Sequence, residues 1–196
     1  MQFEYRTDRL ILKILTTDAF KEVLDFQIRN RDIFEKYEPL RPANFYTPSY
    51  QHSLLKYEHK LALKLSTVRF YVFRKEDLHL IIGTVCLHNI MREPYSCCEI
   101  GYKFDSSYWH MGYAKEALEK IISVAFFELN LHRIFARVVP WNTASLRLLS
   151  TLHFMEEGLE HKCIQIQGEW TDHLRLALLT PLENNASKPT AALPRP

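Results

Sequence analysis

Glycine is scarce in this sequence, with five residues among 196. The dinucleotide-binding pattern G-x-G-x-x-G and the phosphate-loop pattern G-x-x-x-x-G-K-[ST] are both missing. In proteins that carry them, these patterns let the backbone approach the phosphates of NAD or ATP closely. Their absence argues against a site for either nucleotide.

Cysteine is also rare, and the four cysteines do not form a disulfide framework. Cys97 and Cys98 are adjacent in the chain, and neighbouring cysteines seldom bridge each other. No C-x-x-C pair points to zinc, and the nine histidines form no H-x-x-x-H pattern. We therefore predict no metal site and four free cysteines that lie as small buried side chains in strands. The four are Cys86, Cys97, Cys98 and Cys163.

The chain has neither an excess of one charge sign nor a long apolar run. A net charge of +2 and a pI of about 8.3 give no argument for a nucleic-acid partner, although they leave room for a local basic patch. No stretch approaches about 18 consecutive apolar residues, and the N-terminal "MQFEYRTDRLIL" has no apolar core of signal-peptide length. We therefore expect a soluble, cytosolic protein with no membrane partner.

What the sequence does contain is a succession of strand and helix patterns that fits one α/β domain over residues 1–180. Strands are predicted at Arg9–Leu15, Val68–Lys75, Leu78–Ile90, Cys97–Phe104 and His132–Val139, with two more around Gly168. Helices are predicted at Ala19–Asn30, Ser49–Leu65, Gly112–Leu129 and within Pro140–Phe154. Thr17 and Asp18 are predicted to cap the first helix, Glu76-Asp77 to form a hairpin turn, and residues 181–196 to form a loosely held tail.

One of these junctions has the local features of an anion site. A strand ends near Phe104, and a helix begins at about Gly112. The amides of a helix's first turn have no intrahelical partner, and the positive end of the dipole lies there, so a group such as pyrophosphate is favoured. Gly112 permits close approach of the backbone, and Ala114 is small. The same residues are also compatible with a plain helix start.

The surroundings of this turn resemble a known family. The run from Cys97 to Gly158, "CCEIGYKF…FMEEG", is similar over about 60 residues to the GNAT superfamily of acetyl-CoA-dependent N-acetyltransferases. The phosphate-loop pattern of the family, [Q/R]-x-x-G-x-[G/A], reads here Trp109-His110-Met111-Gly112-Tyr113-Ala114. Its later N-x-x-S reads Asn142 to Ser145. More narrowly, "TDRLILKIL", "NRDIFEKYEPLR", "EIGYKF" and W-x-x-G-Y-A-x-E-A look like the RimJ/RimL group of ribosomal-protein N-terminal acetyltransferases.

The resemblance implies a fold, a reaction and partners. The implied fold is a GNAT-type single domain with a mixed, mostly antiparallel central sheet flanked by helices. The implied reaction transfers acetyl from acetyl-CoA to an amine, either a protein N-terminus or a small amine such as an antibiotic, a polyamine or an amino-acid-like toxin. A non-catalytic acyl-CoA-binding module is a further alternative, and homodimerisation is left open.

The resemblance also implies which residues bind acetyl-CoA. The main-chain amides of six residues would hold the pyrophosphate: Trp109, His110, Met111, Gly112, Tyr113 and Ala114. Because the binding is through the main chain, the Trp109 side chain in place of the usual Gln or Arg should matter little. The strand Tyr102–Phe104 would diverge from "RIFARVV" and leave a main-chain N–H free to polarise the thioester carbonyl. The aromatic rings of Tyr108, Tyr113 and Trp141 are more typical of core than of a ligand groove.

Three side chains are candidates for the chemistry. Glu99 matches a position where some relatives carry a general base; the alternatives are a solvated carboxylate or a chain of waters. Asn142 would bond the pantetheine arm, although helix capping alone also explains it. The resemblance implies that Ser145 hydrogen-bonds or protonates the departing thiolate. The place of the tyrosine that many other branches use for this proton falls on Leu149, which cannot donate, and this strengthens Ser145.

Two further expectations concern local structure and selectivity. His153 stands where the family has glycine before phenylalanine, and histidine is less at ease with positive φ, so the local backbone could differ there. Arg29, Asn30 and Arg31 precede a Pro/Tyr-rich segment, and within it "EPLRPANFY" (Glu38–Tyr46) is where selectivity for the acceptor is expected. The few acids around Glu35 and Glu38 do not decide between a peptide and a polycation.

Overall fold

The computed structural model describes residues 1–181, which form an α/β domain around one eight-stranded sheet. The strand order is β1-β2-β3-β4-β5-β6-β8-β7, and β5 with β6 is the parallel pair in a sheet that is otherwise antiparallel. The strands are β1 (Glu4–Arg6), β2 (Leu10–Lys13), β3 (Val68–Arg74), β4 (Asp77–Met91), β5 (Cys97–Phe104), β6 (Arg133–Val138), β7 (Met155–Ile166) and β8 (Glu169–Leu179). The predicted fold class is confirmed. Of the predicted tail, all but Pro181 lies outside the described residues.

Helices cover both faces of the sheet. They are α1 (Phe20–Arg29), α2 (Arg31–Phe34), α3 (Pro48–Leu63), α4 (Tyr113–Ser123) and α5 (Thr143–Thr151). Apolar side chains of α4 and α5 pack in the main core, and those of α1, α2 and part of α3 form a second core, while Ala62 of α3 belongs to the main core. Alternate residues of β3 serve the two cores: Phe70 and Val72 enter the main core, and Tyr71 and Phe73 enter the second. Burying both faces explains the nearly continuous apolar run of this strand.

Most predicted elements are confirmed, and the differences have local causes. The strand β1 was not predicted, because three residues are too few to show a period. The hairpin turn lies at Lys75-Glu76, one residue earlier than predicted, because Arg74 pairs with Asp77. Thr17 and Asp18 lie in a 3₁₀ turn (Thr17–Ala19), and no side chain caps it or α1. The helix predicted to reach Leu129 continues beyond α4 as a π-helical turn (Val124–Glu128).

The cysteines and the end of α5 were also predicted from the sequence. All four cysteines are free and lie in strands; three are buried, and Cys163 is partly exposed. His153 adopts the left-handed conformation with a φ of 64°. Its amide donates to the Ser150 carbonyl, and the amide of Phe154 donates to the Leu149 carbonyl, both at 3.0 Å. These two bonds form the Schellman pattern that ends many helices. The backbone therefore keeps the glycine-like turn, and the anticipated departure was wrong.

The parallel strands β5 and β6 diverge, and this divergence creates the candidate site. Only Cys97–Glu99 of β5 pair with β6, where their partners are Arg133–Phe135. Beyond Glu99, β5 remains paired with β4 as far as Phe104, while β6 remains paired with β8 as far as Val138. The divergence predicted for Tyr102–Phe104 is confirmed, and the sheet opens between the two strands.

Candidate active site

Two connected spaces occupy the opening between β5 and β6. The smaller one, called the gap cavity, has a volume of about 140 Å³ and lies between the strands against the start of α5. The larger one, called the wide cleft, has a volume of about 510 Å³ and lies on the face of the sheet that carries α1–α3. Gly101, Tyr102 and Arg137 line both, so the opening connects the two sides of the sheet.

The turn before α4 has the backbone geometry of an anion site. Gly112 is the residue that precedes the helix, and its φ of +79° is left-handed. The first-turn amides of Tyr113, Ala114 and Lys115 have no intrahelical carbonyl to bond. The amide of Trp109 instead donates to the carbonyl of Ser106 at 3.2 Å, so it is committed to the turn itself. The Trp109 amide therefore has no free donor for the predicted phosphate contact, while the predicted contacts of residues His110 to Ala114 stay predictions.

Arg9, directly before β2, ties this turn to the sheet. Its guanidinium donates to the Met111 carbonyl (2.9 Å) and to the Glu116 carboxylate (2.7 Å), and it stacks on the Tyr113 ring. A Cβ on Gly112 would lie 3.3 Å from Arg9 Nη2. Burial alone would raise the pKa of Glu116, but hydrogen bonds from Thr7 and Arg9 hold that pKa below its usual value. Arg9 thereby compensates the negative charge of Glu116, so this carboxylate does not repel an anion at the start of α4.

The segment that leads from β5 into this turn is anchored by the end of α1. Arg29 Nε and Asn30 Nδ2 donate to Asp105 Oδ2 at 2.8 and 3.2 Å, and Asp105 Oδ1 accepts from the Ser107 amide. Burial alone would raise the pKa of Asp105, but these bonds hold it below its usual value. Trp109 is half exposed, and its indole donates to the Phe104 carbonyl at 2.9 Å. Arg29 and Asn30 thus have a structural role here.

On the α5 side of the opening, three side chains meet around Ser145. The Tyr102 hydroxyl lies 2.6 Å from Ser145 Oγ, and Asn142 Oδ1 caps α5 by accepting from the Ser145 amide at 3.1 Å. Burial raises the pKa of Tyr102 to about 12, so this phenol keeps its proton at neutral pH. Leu149 is fully buried and has no proton to give. Because Asn142 Oδ1 serves the cap, the amide nitrogen of that side chain is the group available to a ligand.

On the opposite side, Glu99 is buried and ion-paired. Its side chain is 9% exposed, and Oε2 accepts from Arg137 Nη1 at 2.8 Å and from Asn89 Nδ2 at 3.4 Å. His88 Nδ1 lies 3.8 Å from the same oxygen. The alternative of a solvated carboxylate is therefore wrong. Arg137 is held in turn by Glu160 on β7.

The outer wall of the wide cleft is a buried ion cluster. Lys103 Nζ donates to Glu38 Oε1 (2.7 Å) and to Gln27 Oε1 (3.0 Å), and Arg41 donates to Glu38 Oε2 (2.5 Å). Burial lowers the pKa of Lys103 to about 8, although Glu38 opposes the shift. The Glu38 carbonyl also accepts from Gln167 at the β7–β8 turn, at 3.1 Å. The beginning of "EPLRPANFY" therefore forms a wall of the cleft, where acceptor selectivity was expected.

The structure separates the predicted site residues into two groups. It brings Tyr102, Asn142, Ser145 and Glu99 to the opening, while His110 to Ala114 form the turn before α4. Phe104 is buried in the main core, as are parts of the Tyr108 and Tyr113 rings, whereas Trp141 is exposed.

Several functional candidates were not identified from the sequence: Arg9, His88, Lys103 and Arg137. For His88, Lys103 and Arg137 the available signal was a charged residue or a histidine in a strand that is otherwise apolar. Arg9 lies outside the strands and gave no such signal. Within residues 1–181, no group of three or more His, Cys, Asp or Glu side chains is placed to hold a metal ion.

Comparisons with known proteins agree with this geometry. A family model described as Acetyltransferase (GNAT) domain matches residues 9–155. The Bacillus subtilis (strain 168) protein named Probable N-acetyltransferase YjcK is 39% identical over 166 residues, which cover 84% of this chain and 90% of that protein. The [Ribosomal protein uS5]-alanine N-acetyltransferase of Escherichia coli (strain K12) is 29% identical, over 89% and 90% of the two chains. The crystal structure of the ribosomal-protein-S5-alanine acetyltransferase from Vibrio fischeri superposes with a TM-score of 0.86 at 30% identity, over 96% of this chain and 100% of the other.

Proposed function

The chain belongs to the GNAT family and is an N-acetyltransferase, and we propose that it transfers acetyl from acetyl-CoA to the N-terminal amine of a protein. GNAT acetyltransferases bind acetyl-CoA. The observation that carries the proposal is the opening between β5 and β6, which connects Ser145 on one side of the sheet with Glu99 on the other. An acyl donor and an amine that enter from opposite sides would meet at this opening.

The residues present fit acetyl-CoA. Free amides at the start of α4, behind a left-handed Gly112, suit a pyrophosphate. The gap cavity is bordered by polar groups of Asn142, Ser145 and Tyr102, which suit the amide-containing arm and the sulfur. Acetyl-CoA supplies the activated acetyl thioester when it is bound.

The chain's own groups supply positioning and proton control. The Tyr102 hydroxyl lies 2.6 Å from Ser145 Oγ, and in the arrangement where Tyr102 donates, the Ser145 proton points into the gap cavity and is available to a departing thiolate. A main-chain N–H in the diverging part of β5 is the proposed donor to the carbonyl oxygen. On the other side, Glu99 is held by Arg137 and lines the cleft through which the amine would enter.

The charges of the wide cleft favour an acceptor with one amine over a polycation. Glu38 is neutralised by Lys103 and Arg41, and Glu99 is neutralised by Arg137. A polyamine would need further carboxylates, and those of the cleft are already paired. A protein N-terminus presents one amine on an extended segment, and the Escherichia coli relative is named [Ribosomal protein uS5]-alanine N-acetyltransferase.

An acceptor screen tests the proposal. The purified protein should bind acetyl-CoA in calorimetry and release free thiol when it is offered short peptides that begin with alanine or serine. The same peptides with a blocked N-terminus are the matched control and should release none, even when they contain lysine. Absence of acetyl-CoA binding at millimolar concentration would overturn the whole proposal, including acyl-CoA binding without catalysis. Thiol release with spermidine or amino acids but not with peptides would overturn only the acceptor.

The cytosolic location stays a prediction, and homodimerisation stays open. In the part of the chain that the structure describes, no helix combines the length and the apolar character needed to cross a membrane.

A further inference from the structure

His88 occupies a position in the wide cleft that the reaction described so far does not use. It lies on β4 directly opposite Glu99 on β5, and both side chains face the cleft. Its ring extends along β5 toward the point where β5 leaves β6. A Cβ built on Gly101 would lie 3.4 Å from His88 Nε2, so this ring nitrogen sits over the main chain of Gly101, a residue that lines both spaces.

The other end of the ring faces the Glu99 carboxylate. Nδ1 lies 3.8 Å from Glu99 Oε2, and the Asn89 amide nitrogen lies 3.5 Å from Nδ1 and 3.4 Å from that oxygen. The carboxylate favours the tautomer with its proton on Nδ1, whereas the Asn89 amide nitrogen, which only donates, favours a lone pair there. In the Nδ1-protonated tautomer the Nε2 lone pair is free to take a proton. Glu99 Oε2 already accepts from Arg137 and Asn89, and Arg137 compensates the charge of the carboxylate. The imidazole of His88 is a second proton acceptor that faces the opening.

We propose that His88 is the general base, taking the proton of the acceptor amine at Nε2, and that Glu99 is a positioning residue that orients the ring. This assignment rests on the proposed acetyl transfer and deepens it. It moves the basic role from a carboxylate on β5 to a ring on β4. Catalysis by such a base contributes typically about 10²–10⁴-fold to a rate.

The charges around His88 keep the ring neutral, as a base must be. Burial lowers the pKa of His88 below its usual value. Arg69 from β3 and Arg137 from β6 act in the same direction, while Glu99 from β5 opposes them. The ring is one-third exposed to the cleft, so water can carry the proton away after each cycle.

The proton and electron balance is complete with the substrates already named. The ammonium form of the acceptor gives one proton to His88 Nε2 and becomes a neutral amine. Its nitrogen lone pair forms the C–N bond to the thioester carbonyl carbon, and the C–S bond breaks with its electron pair on sulfur. The Ser145 hydroxyl donates its proton to the thiolate, and the second proton that the amine nitrogen loses replaces the proton on Ser145. The imidazolium releases its proton to water.

The pH dependence of kcat/KM for the acceptor tests this role. In the wild type, kcat/KM should fall with decreasing pH through the lowered pKa of His88, below pH 6.5, and should be level between that limb and the pKa of the amine. His88→Gln should lower kcat/KM at pH 7 by about 100-fold. Its deficit should shrink above about pH 8, where a terminal amine arrives without its extra proton. His161→Gln, at an exposed position on β7, is the matched control and should keep the wild-type profile.

Glu99→Gln separates the two candidate bases. If His88 is the base, loss of the carboxylate removes the charge that raises the pKa of His88, so the acid limb should move to lower pH while most of the activity at pH 8 remains. A loss of about 100-fold at pH 7 in Glu99→Gln, with His88→Gln close to the wild type, would assign the base to Glu99 and overturn the proposal. Loss of the acid limb in His173→Gln instead would overturn it in favour of the other histidine of the cleft.

Folding and acetyl-CoA binding of each variant are checked by thermal unfolding and calorimetry. If His88→Gln does not fold, His88→Ala with millimolar imidazole decides: restored turnover supports the base, and unchanged turnover in a folded, acetyl-CoA-binding variant contradicts it. A wild type that binds no acetyl-CoA would refute the proposed function itself. A wild type that transfers acetyl with a pH profile unaffected by His88→Gln would refute only the role of His88.

Discussion

The two sides of the opening between β5 and β6 are built in different ways. The acetyl-CoA side uses the main chain of a short contiguous turn and a few residues at the start of α5. The wide cleft uses side chains from α1, the segment 37–41, and strands β3 to β8, which are paired in buried ion clusters. The first construction needs the right backbone and tolerates changes of side chain. The second depends on each partner of each pair, because an unpaired buried charge is costly.

Ser145 is the clearest exception on the acetyl-CoA side, since a side chain there is proposed to do chemistry. Ser145→Ala should lower kcat by about 100-fold, because the departing thiolate loses its proton donor. Acetyl-CoA affinity should change little, as the cap of α5 uses the Ser145 amide and not its hydroxyl. Steady-state kinetics and calorimetry measure the two effects. Ser150→Ala on the same helix is the control, and an unchanged kcat in Ser145→Ala would remove Ser145 from the mechanism.

Gly112 tests the dependence of the same side on the backbone. Gly112→Val places a β-branched residue at a φ of +79° and a Cβ against Arg9, so the turn must change. The strained turn should relax by changing its backbone conformation, and acetyl-CoA should then bind about 30-fold more weakly. This loss corresponds to roughly 2 kcal/mol, the size of the backbone strain. Gly158→Val on β7 is the matched control: its φ of +144° is also left-handed, and nothing lies within 4 Å of the new Cβ. Equal loss of acetyl-CoA affinity in both variants would contradict a local role for Gly112.

Tyr102 contacts Ser145 from the strand and should have a smaller effect. Tyr102→Phe keeps the buried ring and removes the hydroxyl 2.6 Å from Ser145 Oγ. A hydrogen bond is worth about 1 kcal/mol, so kcat should fall by about fivefold. In the double variant with Ser145→Ala, the loss should equal that of Ser145→Ala alone, because Tyr102 acts through Ser145. Additive losses would show that Tyr102 acts independently.

The smallest expected effect concerns Lys103 in the wide cleft and the pH dependence of the free energy of unfolding. The pKa of Lys103 is lowered by burial to about 8 in the folded protein, so between pH 8 and its usual value the unfolded chain binds more protons. The free energy of unfolding should therefore rise from pH 8 to pH 9 by about 1 kcal/mol more in the wild type than in Lys103→Met. Urea denaturation at the two pH values measures this difference. A wild type that gains no stability relative to Lys103→Met would show that Lys103 titrates normally.

The two sides also differ in how far the sequence predicted them. The strand β5 was predicted at its observed bounds, Gly112 was placed at the start of α4, and Asn142 was identified as the cap of α5. These features depend on short-range periodicity and on a few residues within one turn. The His88–Glu99 and Lys103–Glu38 contacts were not predicted, because their partners are 11 and 65 residues apart. Strand register brings the first pair together, and packing of the segment after Tyr37 against β5 brings the second.

The sequence by itself determined the family resemblance, the mixed sheet with helices on its flanks, and the glycine turn that suits a phosphate. Backbone conformation follows from neighbouring residues, so local patterns were sufficient for these features. Only the tertiary structure decided that Glu99 is buried against Arg137, that the Trp109 amide is occupied, and that His88 reaches across β5 to Gly101. The protonation and availability of a side chain depend on which distant charges and walls surround it, and the packing of the sheet determines those surroundings.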